Sequence, residues 1–401
     1  MATVLPFFVV RPRDDSAGAI IAPPYDVLSD EEARALAINR HCFVRVTRSE
    51  VDLPVGVDSH SQQAYERARQ NLDAFLHDEL LIQEDSPSYL VYGQQMGEHR
   101  QLGILGAASV AEYNEGTIAK HEFTRPDKED DRTHHMEVLD AQVGLVFLAY
   151  RQTPALSSLV NQISSRPPRW SVTTEDGVIH TLWSVSPSET EEIQAAFVEV
   201  PRLYIADGHH RSAAASRVHA NRNDALSANF LVGLYPSDQL MVMAYNRVVH
   251  DLNGHSPAEF LAAVQSRWTL TPGSTDTPIE RGDTRMYFQG EWWKLELRSG
   301  LRDESDPVRR LDVAQLQDHL LQPILGIEDP RRSTRIDFVG GIHGPSVLQA
   351  RVDEGRAVAF HLFPTSMEEL FDVADAGEVM PPKSTWFEPK LREGVAVRLL
   401  R

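Results

Sequence analysis

The chain has 401 residues, 42% of them hydrophobic, and carries a formal net charge of −19. This length and hydrophobic content are sufficient for a large core and for two or three domain-sized units, although a single interlocked α/β body also reaches this size. The negative charge repels nucleic-acid phosphates and anionic membranes, which disfavours general nucleic-acid binding. An anionic ligand would need arginines and backbone N–H groups that overcome this field locally.

Cysteine content and the N-terminal sequence bear on the compartment. With Cys42 as the single cysteine, no intrachain disulfide can form, which fits a reducing compartment. Cys42 lies in an apolar stretch, so we expect a buried small hydrophobic side chain. The first residues have no basic region and are interrupted by Pro6 and Pro12, unlike a signal peptide. No run approaches the ~20 apolar residues of a membrane span, so we expect a cytoplasmic protein with no membrane partner.

The region up to residue 250 alternates apolar runs of strand length with amphipathic stretches of helix length. Tyr65, Ala68 and Leu72 fall on one stripe of a helix that begins near Ser61. The polar link around Gly97 indicates a hairpin. The expected elements, in chain order, are a strand near residues 5–10, a helix capped at Ser29 that reaches about residue 39, a helix over 61–77, paired strands over 89–92 and 102–107, a helix over 186–197, a strand over 203–206, a helix over 212–220, and paired strands over 230–235 and 240–245.

The region from residue 251 onward continues this mixture, with no internal repeat and no low-complexity linker. Because strands and helices mix along the whole chain, the sequence predicts an α+β (mixed α/β) fold. We divide it into a region 1–250 and a region 251–401. The elements expected in the second region are a helix over 257–268, strands over 284–288 and 292–297 that pair with each other, a helix over 309–321, a strand that ends at 337–341, a strand over 357–362 and a helix over 366–376.

The segment from Asp207 to Ser212 reads Asp-Gly-His-His-Arg-Ser and joins a short apolar strand to a helix. Gly208 permits a tight turn and close approach of a ligand, and the helix N-terminus supplies free N–H groups with partial positive charge. Arg211 adds a planar donor fork that suits phosphate. These parts predict an anion site, in which Asp207 holds a magnesium ion or accepts a proton. The alternative is that Asp207 and Ser212 only cap the helix and the histidines lie on the surface.

A charged stretch over residues 120–135 is the second candidate. Glu122 has the chemistry of a general base or a metal ligand, and the basic residues of the stretch, Arg132 among them, have that of phosphate contacts. The alternative is a solvated charged loop. Metal binding by His134 and His135 is disfavoured, because adjacent side chains rarely converge on one ion.

Two proline-containing segments are further candidates. The segment 23–26, Pro-Pro-Tyr-Asp, is a rigid turn that would present Asp26 just before a helix, although a plain turn or N-cap aspartate is the alternative. Near the C-terminus, Lys383 is followed by the hydroxyls of Ser384 and Thr385, which together resemble a small phosphate-contacting cluster. No glycines precede it at the spacing of a P-loop, and the alternative is a surface loop.

Five short motifs, in order along nearly the whole chain, resemble those of a large prokaryotic family, the domain-of-unknown-function 1015 family. Five ordered motifs are highly specific for membership, but far less so for activity, because the family is mostly uncharacterised. In this chain the motifs are Ala22–Val27, His121–Thr124, Ala206–Arg211, Tyr245–Arg247 and Met380–Thr385.

The Asp-Gly-His-His-Arg segment is also similar to the phosphate-binding segment of the ParB/sulfiredoxin superfamily, which includes kinases of free L-serine, nucleotide-hydrolysing ParB proteins and ATP-dependent sulfiredoxins. The resemblance implies a ParB/sulfiredoxin-like nucleotide-binding core with insertions over 1–250, and an α/β region over 251–401 that contributes to the same site. It implies a nucleotide-dependent phosphotransferase that uses ATP or ADP with Mg²⁺ and acts on a small hydroxyl metabolite. Free L-serine is the leading candidate for that substrate.

The resemblance also implies roles for single residues. Asp26 or Glu122 would deprotonate the acceptor hydroxyl. Asp207 and His209 would complete the catalytic set, and Asp207 would also bind magnesium. The serine kinases use a glutamate on an early turn where this chain has Asp26, so the choice of base stays open. The implied nucleotide- or phosphate-binding residues are Gly208, His210, Arg211, Ser212, Arg132, Arg247, Lys383, Ser384 and Thr385. The implied substrate-binding residues are Tyr25, His121, Thr124 and Asn246.

Other activities stay open beside the kinase. One is a phosphatase or nucleotide hydrolase that uses the same site. Another is a ParB-like nucleotide-gated regulator, which would need a helix-turn-helix unit and a basic face that the sequence does not show. Sulfiredoxin chemistry needs a cysteine near the phosphate turn, and Cys42 is far from it in sequence. The expected partner is a small-molecule substrate; nucleic acid is disfavoured and a homodimer is compatible with the sequence.

Overall fold

The computed structural model describes residues 2–401, which form two compact units. The first unit contains the chain up to Leu240 together with Pro389–Arg401, and the second contains Met241–Glu388. Both combine helices with largely antiparallel sheets, which confirms the predicted α+β fold. The boundary drawn from the sequence at residue 250 falls inside the second unit, and the end of the predicted region 251–401 lies in the first.

Helices and strands follow each other irregularly. The α-helices of residues 2–401 are α1 (Ala17–Ile20), α2 (Asp30–Leu36), α3 (Val44–Thr47), α4 (Gln62–His77), α5 (Val110–Glu115), α6 (Pro126–Leu139), α7 (Pro154–Ser164), α8 (Pro187–Phe197), α9 (His209–Arg222), α10 (Pro257–Arg267), α11 (Asp312–Leu316), α12 (Gly344–Asp353) and α13 (Met367–Asp375). The β-strands of the same residues are β1 (Val4–Leu5), β2 (Val10–Pro12), β3 (Leu81–Gln83), β4 (Leu90–Met96), β5 (His99–Ser109), β6 (Ile118–Ala119), β7 (Ala141–Gln142), β8 (Val146–Tyr150), β9 (Trp170–Thr173), β10 (Ile179–Ser184), β11 (Leu203–Asp207), β12 (Asn229–Pro236), β13 (Met241–Met243), β14 (Tyr245–Val249), β15 (Trp268–Pro272), β16 (Thr284–Phe288), β17 (Glu291–Leu297), β18 (Ile336–Gly340), β19 (Val358–His361), β20 (Trp386–Glu388) and β21 (Arg398–Leu399). Among these described helices, none has the length and apolar character that crossing a membrane requires.

A mixed sheet of nine described strands forms the centre of the first unit. Its order is β6-β11-β8-β12-β5-β4-β10-β9, with β1 paired on β5. Strand β8 runs parallel to β12 and β11 runs parallel to β6, whereas the other pairs are antiparallel. Strands β8 and β12 are buried along almost their whole length, as is typical of central strands covered on both faces. The sheet therefore holds β11, and with it Asp207 at its end, in a fixed position.

The predictions that rest on caps and apolar stripes are confirmed. Ser29 caps α2: its hydroxyl accepts a hydrogen bond from the backbone N–H of Glu32 at 3.2 Å, and the Glu32 carboxylate accepts one from the backbone N–H of Ser29 at 2.8 Å. Helix α4 begins directly after Ser61 and buries its predicted stripe. Strands β4 and β5 form the expected hairpin, with Gly97 in the left-handed region at φ 58°. The capping residue, the apolar stripe and the turn glycine therefore predicted these two helices and this hairpin correctly.

Two predictions of the first unit are corrected by the structure. The strands over 230–235 and 240–245 do not pair, because β12 lies between β5 and β8 while β13 pairs with β20. The solvated-loop alternative for residues 120–135 is wrong from residue 126 onward, because Pro126 opens helix α6, whereas residues 120–125 do form a loop. The buried face of α6 carries Asp131, Thr133 and His135 rather than an apolar stripe, so hydrophobic periodicity does not indicate this helix.

The C-terminal segment, residues 389–401, is part of the interior of the first unit. Val397 and Val10 exchange backbone hydrogen bonds at 2.7 and 3.0 Å, and Glu393 and Ala22 do so at 2.9 and 3.1 Å. Strand β21 pairs with β7. The end of the chain is therefore inserted beside elements from its beginning.

A buried polar network around Arg392 fixes this segment. The Arg392 guanidinium donates to Nε2 of His180 at 3.2 Å and also contacts Asp176. Because a guanidinium can only donate, His180 Nε2 accepts, and Nδ1 of the neutral ring donates to the hydroxyl of Tyr92 at 2.7 Å. Burial lowers the pKa of His180 to about 3, in keeping with a neutral ring. The network holds the C-terminal segment against the edge strands of the sheet.

The second unit is built on an antiparallel sheet in the order β15-β17-β16-β19-β14-β18, with β13 and β20 forming a small separate pair. The predicted pairing of β16 with β17 is confirmed, as are the strand over 357–362 and the helix over 366–376. The expected helix over 309–321 is shorter than predicted: α11 continues as one π-helical turn, Gln317–Leu321.

Replacing Arg392 with Met should lower the free energy of unfolding by ~2 kcal/mol, because the partners of a buried charged donor lose their hydrogen bonds. Arg401→Met is the matched control, since Arg401 belongs to the same segment but pairs with Asp73 at the surface. Its effect should stay below ~1 kcal/mol. Urea unfolding curves of the two variants measure this difference, and equal destabilisation by both would contradict the anchoring role of Arg392.

Candidate functional site

The turn between β11 and α9 carries the Asp-Gly-His-His-Arg motif. Gly208 lies in the left-handed region at φ 95°, and a Cβ at this position would be 3.2 Å from Nε of Arg211. Both the backbone angle and the close approach favour glycine here. Within residues 2–401, the first turn of α9 has no side-chain cap and no acidic residue. The helix therefore begins with N–H groups and partial positive charge that can bind an anion.

Asp207 ends β11 beside two cationic side chains. Its Oδ2 accepts a hydrogen bond from Nζ of Lys390 at 3.0 Å, and its Oδ1 lies 3.9 Å from Nη2 of Arg211. Burial by itself raises the pKa of Asp207, but the charges of Lys390 and Arg211 hold that pKa well below its usual range. The carboxylate is therefore ionised at neutral pH and neutralised by its neighbours.

Two buried histidines, His121 and His209, stand next to this carboxylate. Their ring centroids are 4.5 Å apart with nearly perpendicular planes. Burial lowers the pKa of His121 to about 4, and burial together with His121 lowers the pKa of His209 far below its ordinary value. Nδ1 of His121 and Nε2 of His209 have no hydrogen-bond partner among residues 2–401, and Glu122 Oε2 lies 3.8 Å from Nδ1 of His209. Unpartnered buried nitrogens are costly, so a polar ligand that satisfied them would be favoured.

Other residues predicted for this site have mainly structural contacts. His210 Nε2 accepts a hydrogen bond from the backbone N–H of Arg125 at 3.1 Å, and the Thr124 hydroxyl donates to Glu129. The Ser212 hydroxyl is fully buried and donates to a carbonyl in the first turn of α9 at 2.9 Å. This position inside the helix corrects the prediction that Ser212 contacts phosphate.

The charged stretch over 120–135 does not bring its two histidines together. His135 is buried and donates from Nε2 to the Val46 carbonyl at 3.1 Å, whereas Nε2 of His134 faces Gln62 Oε1 at 2.9 Å. No group of three or more His, Cys, Asp or Glu side chains in residues 2–401 is arranged to hold a metal ion. The two histidines therefore anchor α6 to its neighbours.

The early turn with Tyr25 and Asp26 lies beside Arg132 and Arg211. The turn is a single 3-10 turn, Tyr25–Val27, and the Tyr25 ring lies 4.1 Å from the guanidinium carbon of Arg132. Burial raises the pKa of Tyr25 to about 12. Burial lowers the pKa of Arg211, but the negative charge of Asp26 contributes to a net rise, which places Asp26 within electrostatic reach of this guanidinium. The structure thus gathers these predicted residues at one place in the first unit.

A cavity of about 460 Å³, counting its open mouth, lies beside Arg211 in the first unit. Gly144 forms part of its wall: a Cβ there would be 3.2 Å from Cδ of Arg211 and 3.5 Å from Oε1 of Glu393. The missing side chain leaves this space free. The remaining wall is apolar apart from a set of polar and charged side chains, namely Tyr25, Thr47, Arg132, His135, Gln142, Arg211 and Glu393.

The remaining predicted residues belong to the second unit. These are Asn246, Arg247, Lys383, Ser384 and Thr385. Arg247 donates to the carbonyl of Pro382 at 3.1 Å, and Nζ of Lys383 lies 5.3 Å from the ring centroid of Tyr245. Burial lowers the pKa of Arg247 to about 9. Within this unit, the structure brings together two motifs that the chain keeps far apart; their nucleotide role stays a prediction.

Lys390 and Glu393 lie at the candidate site although none of the five motifs contains them. The C-terminal segment inserts them into the first unit, where Lys390 contacts Asp207 and Glu393 lines the cavity. The sequence does carry an indication, because charged residues interrupt a run of apolar residues at the end of the chain. Charged side chains are seldom fully buried without a partner, so such a run indicates paired or functional groups.

Burial raises the pKa of Glu393 to about 7, although the Thr47 hydroxyl and the charges of Arg211 and Arg132 act in the opposite direction. The negative charge of Asp26 reinforces the rise. Within residues 2–401, Oε2 of Glu393 and the Thr47 hydroxyl lack a hydrogen-bond partner of normal geometry. Glu393 is therefore a buried carboxyl that can still accept a partner.

Replacing Glu393 with Gln should change how stability depends on pH. The ordinary pKa of this carboxyl is 4.5 and its folded value is about 7, so between these values the folded protein holds a proton that the unfolded chain has lost. Stability therefore falls as the pH rises through this window. The variant lacks this loss. Between about pH 5 and about pH 8, the free energy of unfolding of the variant should therefore rise by up to ~3 kcal/mol relative to that of the unmodified protein.

Urea unfolding at the two pH values measures the gain. Glu98→Gln is the control, because Glu98 is exposed in the β4–β5 hairpin and its replacement should give no pH-dependent difference. A Glu393→Gln difference that is the same at both pH values would contradict the burial of an ionisable group here.

Solved structures with partial likeness to this chain were found. SbnI with a C-terminal truncation from Staphylococcus aureus is 13% identical, with a TM-score of 0.39 over 72% of this chain and 85% of that one. A free serine kinase variant in complex with ADP is 13% identical, with a TM-score of 0.36 over 71% and 87%. A conserved hypothetical protein from Pyrococcus furiosus is 10% identical, with a TM-score of 0.35 over 74% and 95%. At these scores the likeness says nothing about the activity of this chain.

The sequence itself gives a clearer relationship. No curated protein matches the chain. A family profile, however, matches residues 4–314, which is most of the chain and contains the first four of the five motifs. The chain belongs to the family described as "Protein of unknown function (DUF1015)".

Proposed function

We propose that this chain is a nucleotide-dependent phosphotransferase that uses ATP or ADP and acts on a small hydroxyl-bearing metabolite, with free L-serine as the leading acceptor. One observation carries the proposal: the open N-terminus of α9 follows Gly208 and is flanked by the cationic groups of Lys390 and Arg211. This is the arrangement that binds phosphate groups at the end of a strand.

The chemistry of phosphoryl transfer suits these groups. The reaction needs positioning and charge neutralisation more than covalent catalysis. The helix N-terminus, Lys390 and Arg211 supply positive charge in buried surroundings, where electrostatic interactions are stronger than in water. The chain as a whole carries a net charge of −19, which repels anions. A local concentration of positive groups in such a chain supports the assignment of an anion site at this turn.

Magnesium fits Asp207 poorly. In nucleotide sites this ion is usually held by one or two carboxylates together with the phosphates. At Asp207, however, Lys390 contacts one oxygen and Arg211 faces the other. The proposal therefore assigns charge neutralisation at Asp207 to these two side chains. The side chain of Glu122, which is 40% exposed, is the more open carboxylate near the turn.

Two carboxylates are alternatives for accepting the proton of the acceptor hydroxyl. Asp26 lies within electrostatic reach of Arg211, and Glu122 lies 3.8 Å from the neutral ring of His209. Proton transfer requires a base within hydrogen-bond reach of the hydroxyl. Glu122 adjoins the turn where the phosphates would bind, whereas the link between Asp26 and the turn is its electrostatic effect on Arg211. The choice between them stays open, as in the sequence-based prediction.

The decisive experiment is phosphorus NMR of the purified protein with L-serine and either ATP or ADP, with and without magnesium. The expected result is a phosphoserine signal that Asp207→Asn abolishes, because the variant no longer holds Lys390 and Arg211 in place. Nucleotide breakdown without phosphoserine would indicate a hydrolase or a different acceptor. An unchanged spectrum in every mixture, including one with other small alcohols, would contradict the proposal.

Replacing Lys390 with Met should lower kcat for phosphoryl transfer ~100-fold, because one preorganised positive charge is lost from the phosphate site. Lys390→Arg should retain more activity than Lys390→Met, since it keeps the charge. Lys294→Met is the control: Lys294 pairs with Glu296 in the second unit, and its loss should leave kcat unchanged. Steady-state kinetics measure these values, and full activity of Lys390→Met would remove Lys390 from the site.

A further inference from the structure

The cavity beside Arg211 has an unusual combination of groups on its wall. Two guanidinium groups, of Arg132 and Arg211, face it together with the carboxyl of Glu393. Both arginines are held in place: Arg132 contacts Asp131 at 2.6 Å, and Arg211 donates to the Leu145 carbonyl. Nε and Nη2 of Arg132 already contact Asp131, so the remaining N–H groups of the two guanidiniums are the donors that could bind a ligand carboxylate.

Glu393 places a carboxyl on the same wall, which needs a hydrogen-bond donor rather than an anion. Its side chain is almost completely buried, and Oε2 has no partner of normal geometry among residues 2–401. A buried carboxyl oxygen of this kind is stabilised by a hydrogen-bond donor, above all by a cationic one. The Thr47 hydroxyl is close enough to lower the pKa of Glu393, but it forms no hydrogen bond of normal geometry. The cavity therefore offers positive groups for an anionic end and a carboxyl for a donating end.

Arg211 connects the cavity to the phosphate turn. Its guanidinium faces Asp207 at 3.9 Å, while its side chain passes Gly144 on the cavity wall. A small molecule in the cavity would thus share Arg211 with the proposed nucleotide phosphates. The apolar remainder of the wall, which includes Val146 and Phe230, suits a compact ligand with few polar atoms beyond its two charged ends.

We propose that this cavity is the acceptor subsite and that it recognises an α-amino acid. The ligand carboxylate contacts the guanidinium groups of Arg132 and Arg211, and the ligand ammonium contacts Glu393. The proposal rests on the proposed function only in identifying the ligand as the phosphoryl acceptor. Glu393, contributed by the C-terminal segment, is the residue that distinguishes an amino acid from a hydroxy acid of the same size.

This assignment predicts that binding is coupled to proton release. Free Glu393 is largely protonated below about pH 7, because burial raises its pKa to about 7. An ammonium group in contact with the carboxyl favours the ionised form, so the proton leaves as the ligand enters. Charged groups on neighbouring elements, namely Arg132, Arg211 and Asp26, are present both before and after binding. A ligand without an ammonium group should not release the proton.

The test is isothermal titration calorimetry of the full chain at about pH 6.5, in two buffers of different ionisation enthalpy, with and without AMP. Three ligands are compared: L-serine, glycerate, which has a hydroxyl in place of the ammonium, and serinol, which lacks the carboxylate. L-serine should bind with release of about three-quarters of a proton, which is the fraction of Glu393 that is protonated at this pH. Glycerate and serinol should bind at least ~10-fold more weakly, and glycerate without proton release.

The variant Glu393→Gln should bind L-serine ~10- to 100-fold more weakly and without proton release, whereas Glu98→Gln should behave as the unmodified protein. Gly144→Ala keeps every charge but narrows the cavity, and should weaken all three ligands. Equal affinity for L-serine and glycerate, unchanged binding by Glu393→Gln, or no binding of any ligand would overturn the proposal.

The two proposals fail in different ways. Phosphoserine formation that is insensitive to Glu393→Gln would leave the phosphotransferase standing and refute the subsite. Binding of L-serine with proton release, but without phosphoryl transfer from any nucleotide, would support the subsite and refute the phosphotransferase.

Discussion

A buried carboxylate needs cationic partners close by, and the first unit provides them for Asp207 at the end of β11. These partners are two cations, one from the helix that follows it and one, Lys390, from the far end of the chain. A buried charge without a partner is strongly destabilising, so β11 and the C-terminal segment depend on each other. That segment is held in place by the backbone hydrogen bonds of Val397 and Glu393 and by the buried polar network around Arg392, so Lys390 can contact Asp207.

The same constraint shapes the rest of the turn. Burial lowers the pKa of both histidines beside Asp207, and although the charge of Asp207 acts in the opposite direction, burial outweighs it and keeps both rings neutral. Neutral imidazoles can donate or accept, which suits contact with phosphate oxygens or with a protonated group. Gly208 allows the chain to enter α9 without a side-chain cap, so the positive end of the helix is left for a ligand. The local sequence thus leaves this helix end open, whereas one of the cations beside the turn, Lys390, comes from the distant C-terminal segment.

The sequence was sufficient to predict helices and strands that are determined by contacts between residues close together in the chain. Caps such as Ser29 and stripes such as that of Tyr65 fix helices by contacts within a few residues. It was insufficient where the partner is distant: β12 pairs with β5 and β8 rather than with the next strand, and α6 buries polar groups such as Asp131 in place of an apolar stripe. Periodicity describes one face of one element, whereas pairing depends on the whole core.

The candidate site shows the same division. Asp207, Gly208 and Arg211 lie within five residues of one another, so an anion site at this turn can be predicted from the sequence alone. Lys390 and Glu393 lie beyond residue 314, where the family match ends, and only the fold brings them to the first unit. The partner of Asp207 and the carboxyl that faces the cavity thus come from a part of the chain outside that match. The region covered by the family match would therefore show the proposed anion site without one of its cations.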